Sequence, residues 1–224
     1  MYYLGIDLGS SSVKVALVDS SKGKSVGVVQ QPEEEMSMHA AQKGWAEQKP
    51  EDWWFHVCEG IRSLKKNHEV SKKEIIGIGI SYQMHGLVVL DKEGVPLRKS
   101  IIWCDSRAVE IGNQTYEAIG REKCDTHLLN SPANFTASKL RWVQDNEKEI
   151  YDKIDKFMLP GDYLAYRFSN KINTTISGLS EGIFWDFKQD EISQDILDYH
   201  NFSQALVPEI VETFGVQSKV SAKG

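Results

Sequence analysis

The chain is expected to fold as an α/β domain, a mixed sheet with flanking helices. Three observations carry that expectation. The opening holds three apolar stretches, broken by a Gly/Ser turn after Leu8 and a Lys22-Gly23 turn, the pattern of a strand meander. Glu51 to Asn67 then sets Trp54, Val57, Cys58, Ile61 and Leu64 at helical spacing. After it comes Glu74 to Ser81, EIIGIGIS, a β-branched run between polar flanks that reads as a buried strand.

The elements follow in order. Tyr2 to Asp19, YYLGIDLGSSSVKVALVD, gives two strands joined by a tight turn at Gly9 to Ser12, and Ser25 to Gln31 a third. Gln31 to Lys49 lacks periodicity and is expected to be loop. Pro50 suits the first turn of the helix that follows, because its missing N–H has no partner there anyway; Trp53 and Trp54 are packing residues. Leu87 to Leu90 is a strand running into the turn Lys92-Glu93-Gly94. Ile101 to Trp103 is another apolar run, and Ser106 to Ile119 a helix. Glu122 to Thr136 is turn-rich. Ala137 to Glu149 is helical, with Leu140, Trp142 and Val143 towards the core. Lys156 to Leu159 is a short strand and Gly161 to Phe168 a helix that Asp162 helps to start. Asn173 to Trp185 is rich in Ser, Thr and Gly before an apolar end. Ile192 to Tyr199 is a short helix, Val207 to Phe214 another that Gly215 stops, and Gln217 to Gly224 a frayed end.

Composition narrows the function. The 224 residues carry 41% hydrophobic and 26% charged residues, as an ordinary globular protein does. A net charge of −6 with no basic stripe argues against a nucleic-acid surface. No stretch is apolar enough to span a bilayer, and the N-terminal run is too short, and interrupted by Asp7, for a signal peptide. Cys58, Cys104 and Cys124 form no CxxC pair and no metal spacing, which fits a reduced, cytoplasmic protein. The sequence allows a homodimer without indicating one.

Four stretches carry candidate chemistry. At the first turn, Gly9 lets a ligand approach the backbone. Successive N–H groups with the Ser10, Ser11 and Ser12 hydroxyls suit phosphate oxygens. Asp7 places a carboxylate able to hold Mg²⁺ through water, and Lys14 adds a positive charge. Alone, the same residues make an ordinary surface hairpin. There is no Walker lysine, and a strand rather than a helix follows Gly9, which excludes the dinucleotide fingerprint. The second stretch is Gln83-Met84-His85-Gly86, where a strand ends. Gln83 and His85 suit sugar hydroxyls, or His85 is a solvated loop residue. The third is Trp103-Cys104-Asp105-Ser106-Arg107: an aromatic face with an acceptor and a donor for a sugar, or a helix cap and a surface charge. The fourth, Thr174 to Gly178, lines a cleft or simply turns the chain.

Three antiparallel strands followed by a long helix is how a ribonuclease H-like half-domain begins. The segments GIDLGSSSVKVALVD, GWAEQKPEDWW, GISYQMHGLVVLD, IIWCDSR, FTASKLRWV and LPGDYLAYR, in this order and spacing, resemble the N-terminal domain of the FGGY carbohydrate kinases over most of the chain, from its first residues to about Asp186. Gln-Met-His-Gly favours the xylulokinase branch over the gluconokinase, ribulokinase and glycerol kinase branches. The resemblance implies an actin-like ATPase fold and transfer of the γ-phosphoryl of Mg-ATP to the terminal hydroxyl of D-xylulose. It implies Asp7 on Mg²⁺ and its waters, with Gly9, Ser10, Ser11 and Lys14 facing the phosphate. It also implies that Met84 and His85 hold the ketose, with Trp103 and Asp105 as further contributors and Asn134 and Phe135 lining the pocket.

One departure qualifies the match. The family's general base, an Asp in a Gly-Gly-x-Asp-type segment opening the second domain, has no counterpart after His200. Residues 1–224 are therefore expected to be the sugar-binding N-terminal domain, without the nucleotide domain and without turnover of their own. The alternatives are another FGGY sugar kinase, a ketose-binding module without catalysis, or an actin-like filament protein.

Overall fold

A computed structural model describes residues 1–221. Strands β1 (Tyr2–Leu8), β2 (Val13–Asp19) and β3 (Lys24–Gln31) form the meander. After the two-residue β4 (Glu47–Gln48), helix α1 (Pro50–His68) leads to β5 (Ile75–Tyr82), which joins β1 in parallel and completes a sheet of order β3-β2-β1-β5. This is the ribonuclease H-like arrangement expected from the sequence.

The sheet has two unlike faces because side chains alternate along each strand. Leu4, Ile6 and Leu8 of β1 and Val13, Val15 and Leu17 of β2 point into the core, while Asp7 and Lys14 lie exposed on the other face. Helix α1 covers the inner face with Trp53, Val57, Gly60 and Leu64. Each large side chain buried there contributes roughly 1.5–3 kcal/mol. The apolar spacing had pointed to Trp54 and Ile61, which are only partly buried. The helix is turned so that Gly60 meets the sheet, since a Cβ there would lie 2.7 Å from Val15 Cγ2. A glycine contact of this kind carries no hydrophobic signal.

Strand β6 (Val88–Leu90) is the wall between two cores. Val88 and Leu90 face the sheet and α1; Leu87 and Val89 face a second cluster. β7 (Ser100–Ile101) pairs with β4. The second cluster is built on α2 (Val109–Ile119), α3 (Arg121–Lys123) running into a π-helical turn at Cys124–Leu128, and α4 (Thr136–Asn146) with the short α5 (Lys148–Tyr151). Strand β8 (Lys156–Met158) pairs with β6 and shares its division: Phe157 faces the second core and Met158 the first. Helix α6 (Pro160–Ser169) returns to the first core through Tyr163, Leu164 and Phe168. β9 (Asn173–Thr175) and α7 (Ile176–Glu181) follow, then the hairpin β10 (Trp185–Asp186) with β11 (Glu191–Ile192), α8 (Gln194–His200) and β12 (Glu209–Val211).

Several boundaries differ from expectation, each for a physical reason. The helix expected over Val207 to Phe214 is β12, paired in parallel with β9. Pro208 cannot donate to a helix and favours the extended conformation of Val207 before it (φ −76, ψ 131). Helix α2 starts at Val109 rather than Ser106, because Asp105 binds the Arg107 N–H and bends the chain there. Helix α4 stops at Asn146, where Glu147 adopts φ −131. The end expected to fray is partly tied down: Gln217 accepts from Asn173 Nδ2 at 3.3 Å and the Ser221 N–H donates to Phe168 O at 2.8 Å. The rest of that stretch, from residue 222, lies outside the described residues. Cys58, Cys104 and Cys124 are free thiols, and no helix of the described residues is long and apolar enough to cross a membrane.

Candidate functional site

The parallel pairing of β1 with β5 decides where the candidate residues meet. Asp7 stands opposite Lys14 on one side and Ser81 on the other, so an acid, an ammonium and a hydroxyl form one row across three strands on the open face. The β1–β2 turn next to the row is closed by the Gly9 N–H on Ser12 O at 2.9 Å. The other turn carbonyls are tied inward: Ser11 O accepts from the Met36 N–H at 2.7 Å and Ser10 O from Gln48 Nε2 at 2.6 Å. Among the described residues no hydrogen bond engages the Ser10, Ser11 or Ser12 hydroxyl.

Gln48 connects this turn to the second candidate segment. It is 3% exposed, and its Oε1 accepts both Gln83 Nε2 at 3.1 Å and Trp53 Nε1 at 3.0 Å. The Gln83 N–H itself donates to Leu8 O at 2.6 Å. Gln83 is buried, and its Oε1 has no hydrogen-bond partner among the described residues. Beyond it, Met84 is exposed and His85 turns the chain in the left-handed conformation (φ 59). Behind the turn the N-terminus of α6 packs close: a Cβ on Gly161 would fall 2.0 Å from the Tyr82 ring.

The His85 ring lies edge-on to Phe135, with centroids 4.1 Å apart. Burial first, then the nearby Lys139 charge, lower its pKa to about 4. It is therefore neutral near pH 7, and its buried Nδ1 has no hydrogen-bond partner among the described residues. Two residues not singled out from the sequence hold its backbone. Glu181 Oε1 accepts the His85 N–H at 2.7 Å, and Lys139 Nζ donates to His85 O at 2.6 Å. Burial raises the Glu181 pKa and lowers that of Lys139 to about 7. Nothing in the local sequence marks them, since their contacts lie 96 and 54 residues away.

The third segment joins the line in part. Trp103 is half exposed, and its carbonyl accepts from Asn134 Nδ2 at 3.1 Å, next to Phe135. Asp105 points the other way. It is fully buried, with Oδ2 accepting the Ala46 N–H and Arg107 Nη2, both at 2.6 Å. Arg107 lies over the Trp45 ring at 3.7 Å and the Trp142 ring at 4.7 Å, and also pairs with Glu47 at 2.8 Å. The expectation of Asp105 as a sugar acceptor or a helix cap thus gives way to a buried ion-pair node. Thr174 and Thr175 of the fourth segment are likewise structural: Thr174 Oγ1 donates to Asp162 at 2.8 Å, and Thr175 caps α7.

The outer row holds one free carboxylate beside hydroxyls, a donor set that suits Mg²⁺, which keeps most of its waters. Among the described residues no cluster of three or more His, Cys, Asp or Glu side chains is set to enclose a metal ion.

The sheet order β3-β2-β1-β5 with α1 across its inner face is that of a half-domain of the actin-like ATPase class. The family model of the FGGY carbohydrate kinases, N-terminal domain, matches residues 2–223, and the chain belongs to that family. A xylulose kinase of Staphylococcus epidermidis is 33% identical over 219 residues, covering 98% of this chain and 42% of its own length. One from Bacillus subtilis is 35% identical over 218 residues, covering 95% and 42%. The crystal structure of a "xyloylose kinase" from Brucella ovis superposes with a TM-score of 0.90 at 30% identity, over 100% of this chain and 46% of that one. The chain thus spans less than half the length of the relatives it matches.

Proposed function

We propose that this chain is the sugar-holding N-terminal half of an ATP-dependent kinase that phosphorylates the terminal hydroxyl of a ketopentose, D-xylulose. The observation that carries this reading is the meeting of two chemistries at one sheet end. The Asp7–Lys14–Ser81 row and its serine turn are suited to phosphate. The Gln83–Met84–His85 turn, joined to it through Gln48 and Leu8, is suited to a polyol. In that reading the unpartnered Gln83 Oε1 and His85 Nδ1 take hydroxyl hydrogen bonds, while Met84 and the Trp103 face pack against the carbon chain. His85, held neutral, can accept a hydrogen bond or donate one according to its tautomer.

Asp7 would hold Mg²⁺ through its waters, and the ion would neutralise charge on the transferred phosphate. Lys14 and the N–H groups of Ser10 and Ser11 would face the same phosphate and orient it. The adenosine site and the general base would come from the part of the relatives that lies beyond this chain's match. The names of the relatives favour D-xylulose as the acceptor.

Calorimetric titration of this chain with D-xylulose, D-ribulose, gluconate and glycerol tests the acceptor. A coupled assay for ADP release tests turnover. Selective binding of D-xylulose without turnover is expected. Preference for gluconate or glycerol would reassign the sugar, and turnover by this chain alone would overturn the division of labour.

A further inference from the structure

We propose that Glu181 and Lys139 are positioning residues that clamp the two peptide groups flanking the His85 Cα and so aim the ketose-binding turn. The proposal rests on the sugar reading for what the turn binds, but on geometry for the clamp. The His85 N–H belongs to the peptide before its Cα and the His85 carbonyl to the peptide after it. Glu181 Oε1 fixes the first at 2.7 Å and Lys139 Nζ the second at 2.6 Å. Two such anchors set both φ and ψ of one residue. That residue is a non-glycine at φ 59, a conformation that costs about 1 kcal/mol or more and needs surrounding contacts to persist.

The expense of the arrangement argues for a purpose. Lys139 is fully buried, an environment that penalises an ammonium heavily, and its hydrogen bond goes to a single carbonyl. Glu181, from the end of α7, feels the Lys139 charge, yet among the described residues no ion pair joins the two; Glu181 Oε1 meets the His85 N–H and Lys139 Nζ the His85 carbonyl. Thr136 adds a third hold, donating to Gly86 O at 3.2 Å. All three anchors stand on α4 and α7, so the helical part of the molecule sets the geometry of a turn belonging to the sheet. On this backbone the His85 ring packs edge-on against Phe135, and Met84 faces outward.

The test uses the full chain and two readouts: hydrogen exchange of the His85 amide by NMR, and D-xylulose affinity by calorimetry. Glu181→Leu and Lys139→Met are each expected to speed His85 exchange and to weaken affinity by about tenfold. Glu181→Gln keeps an acceptor oxygen and is expected to hold both within about twofold of the native chain. Unchanged His85 exchange in Glu181→Leu and Lys139→Met overturns the clamp, and so does an opened turn that leaves affinity unaltered. If the native chain does not bind D-xylulose, the sugar reading fails and the amide exchange alone decides the clamp. Should Glu181→Leu not fold, Glu181→Asp, with its carboxylate drawn back by one methylene, is read the same way: faster exchange supports the clamp and native exchange refutes it.

Discussion

Gln83 donates its backbone N–H to Leu8 O at 2.6 Å, continuing the β1–β5 ladder one step past the last strand pair. That bond brings a turn suited to sugar beside a turn suited to phosphate. Parallel strands make it so: both chains leave the sheet at the same end, where α/β folds gather their ligands.

Gln48 holds the two turns together, and its loss should be costly. Gln48→Leu leaves Ser10 O, Gln83 Nε2 and Trp53 Nε1 without their partner, in surroundings where unmet polar groups cost about 1–3 kcal/mol each. Urea unfolding is expected to show a loss of about 2 kcal/mol or more. A loss below about 0.5 kcal/mol would mean that water replaces the amide and that the two turns are not coupled through it.

Much of this was legible in the sequence, for identifiable reasons. The meander, α1 and β5 announce themselves because period-2 and period-3.6 patterns follow from burial on one face. Asp7 and the Gln83–His85 segment stood out as polar residues at strand ends. The rest depends on partners distant in sequence. Gln48, Lys139 and Glu181 act on backbone or amide groups 35 to 96 residues away, which no local pattern encodes. Asp105 looked like surface chemistry because its partner, the Ala46 N–H, lies 59 residues back. The β12 segment looked helical because its partner strand β9 is equally remote.

Asp7 and Asp105 should respond in opposite ways to loss of charge. Asp7 is exposed and has no hydrogen-bond or ion-pair partner among the described residues, so Asp7→Asn is expected to leave stability within about 0.5 kcal/mol of native. Asp105→Ala leaves the buried Arg107 with Glu47 as its one carboxylate partner among the described residues and strips the Ala46 N–H of its acceptor, and is expected to cost about 2 kcal/mol or more. Thermal and urea unfolding of both variants check this. An Asp105→Ala protein of native stability would return Asp105 to the list of sugar contacts.

His85 should stay neutral well into acid. Its pKa of about 4 lies below the ordinary value of 6.5 because burial disfavours the charged ring and Lys139 repels it. NMR titration of the ring is expected to show the neutral form at about pH 5.5, where an ordinary histidine is mostly charged. The sign for stability follows. Between about 4 and 6.5 the unfolded chain binds a proton that the folded chain refuses, so this residue's contribution is lost as pH falls through that window. A midpoint near 6.5 would place the ring in water and remove it from the buried turn.

Asp162 should act in the opposite sense. It sits buried at the start of α6, accepting from Thr174 Oγ1 at 2.8 Å, and burial raises its pKa from 3.8 to about 7. Between those values the folded chain keeps a proton that the unfolded chain releases. Its contribution to stability is therefore present at low pH and lost as pH rises through about 7. Asp162→Asn keeps an acceptor for Thr174 and for the Leu159 N–H but cannot ionise. Relative to the native chain, the variant is expected to gain at least about 1 kcal/mol between pH 5 and pH 8. Urea unfolding of both proteins at the two pH values reads this directly. An identical difference at both would mean that the buried carboxyl titrates like a solvated one, and that α6 starts beneath the His85 turn without a protonated acid.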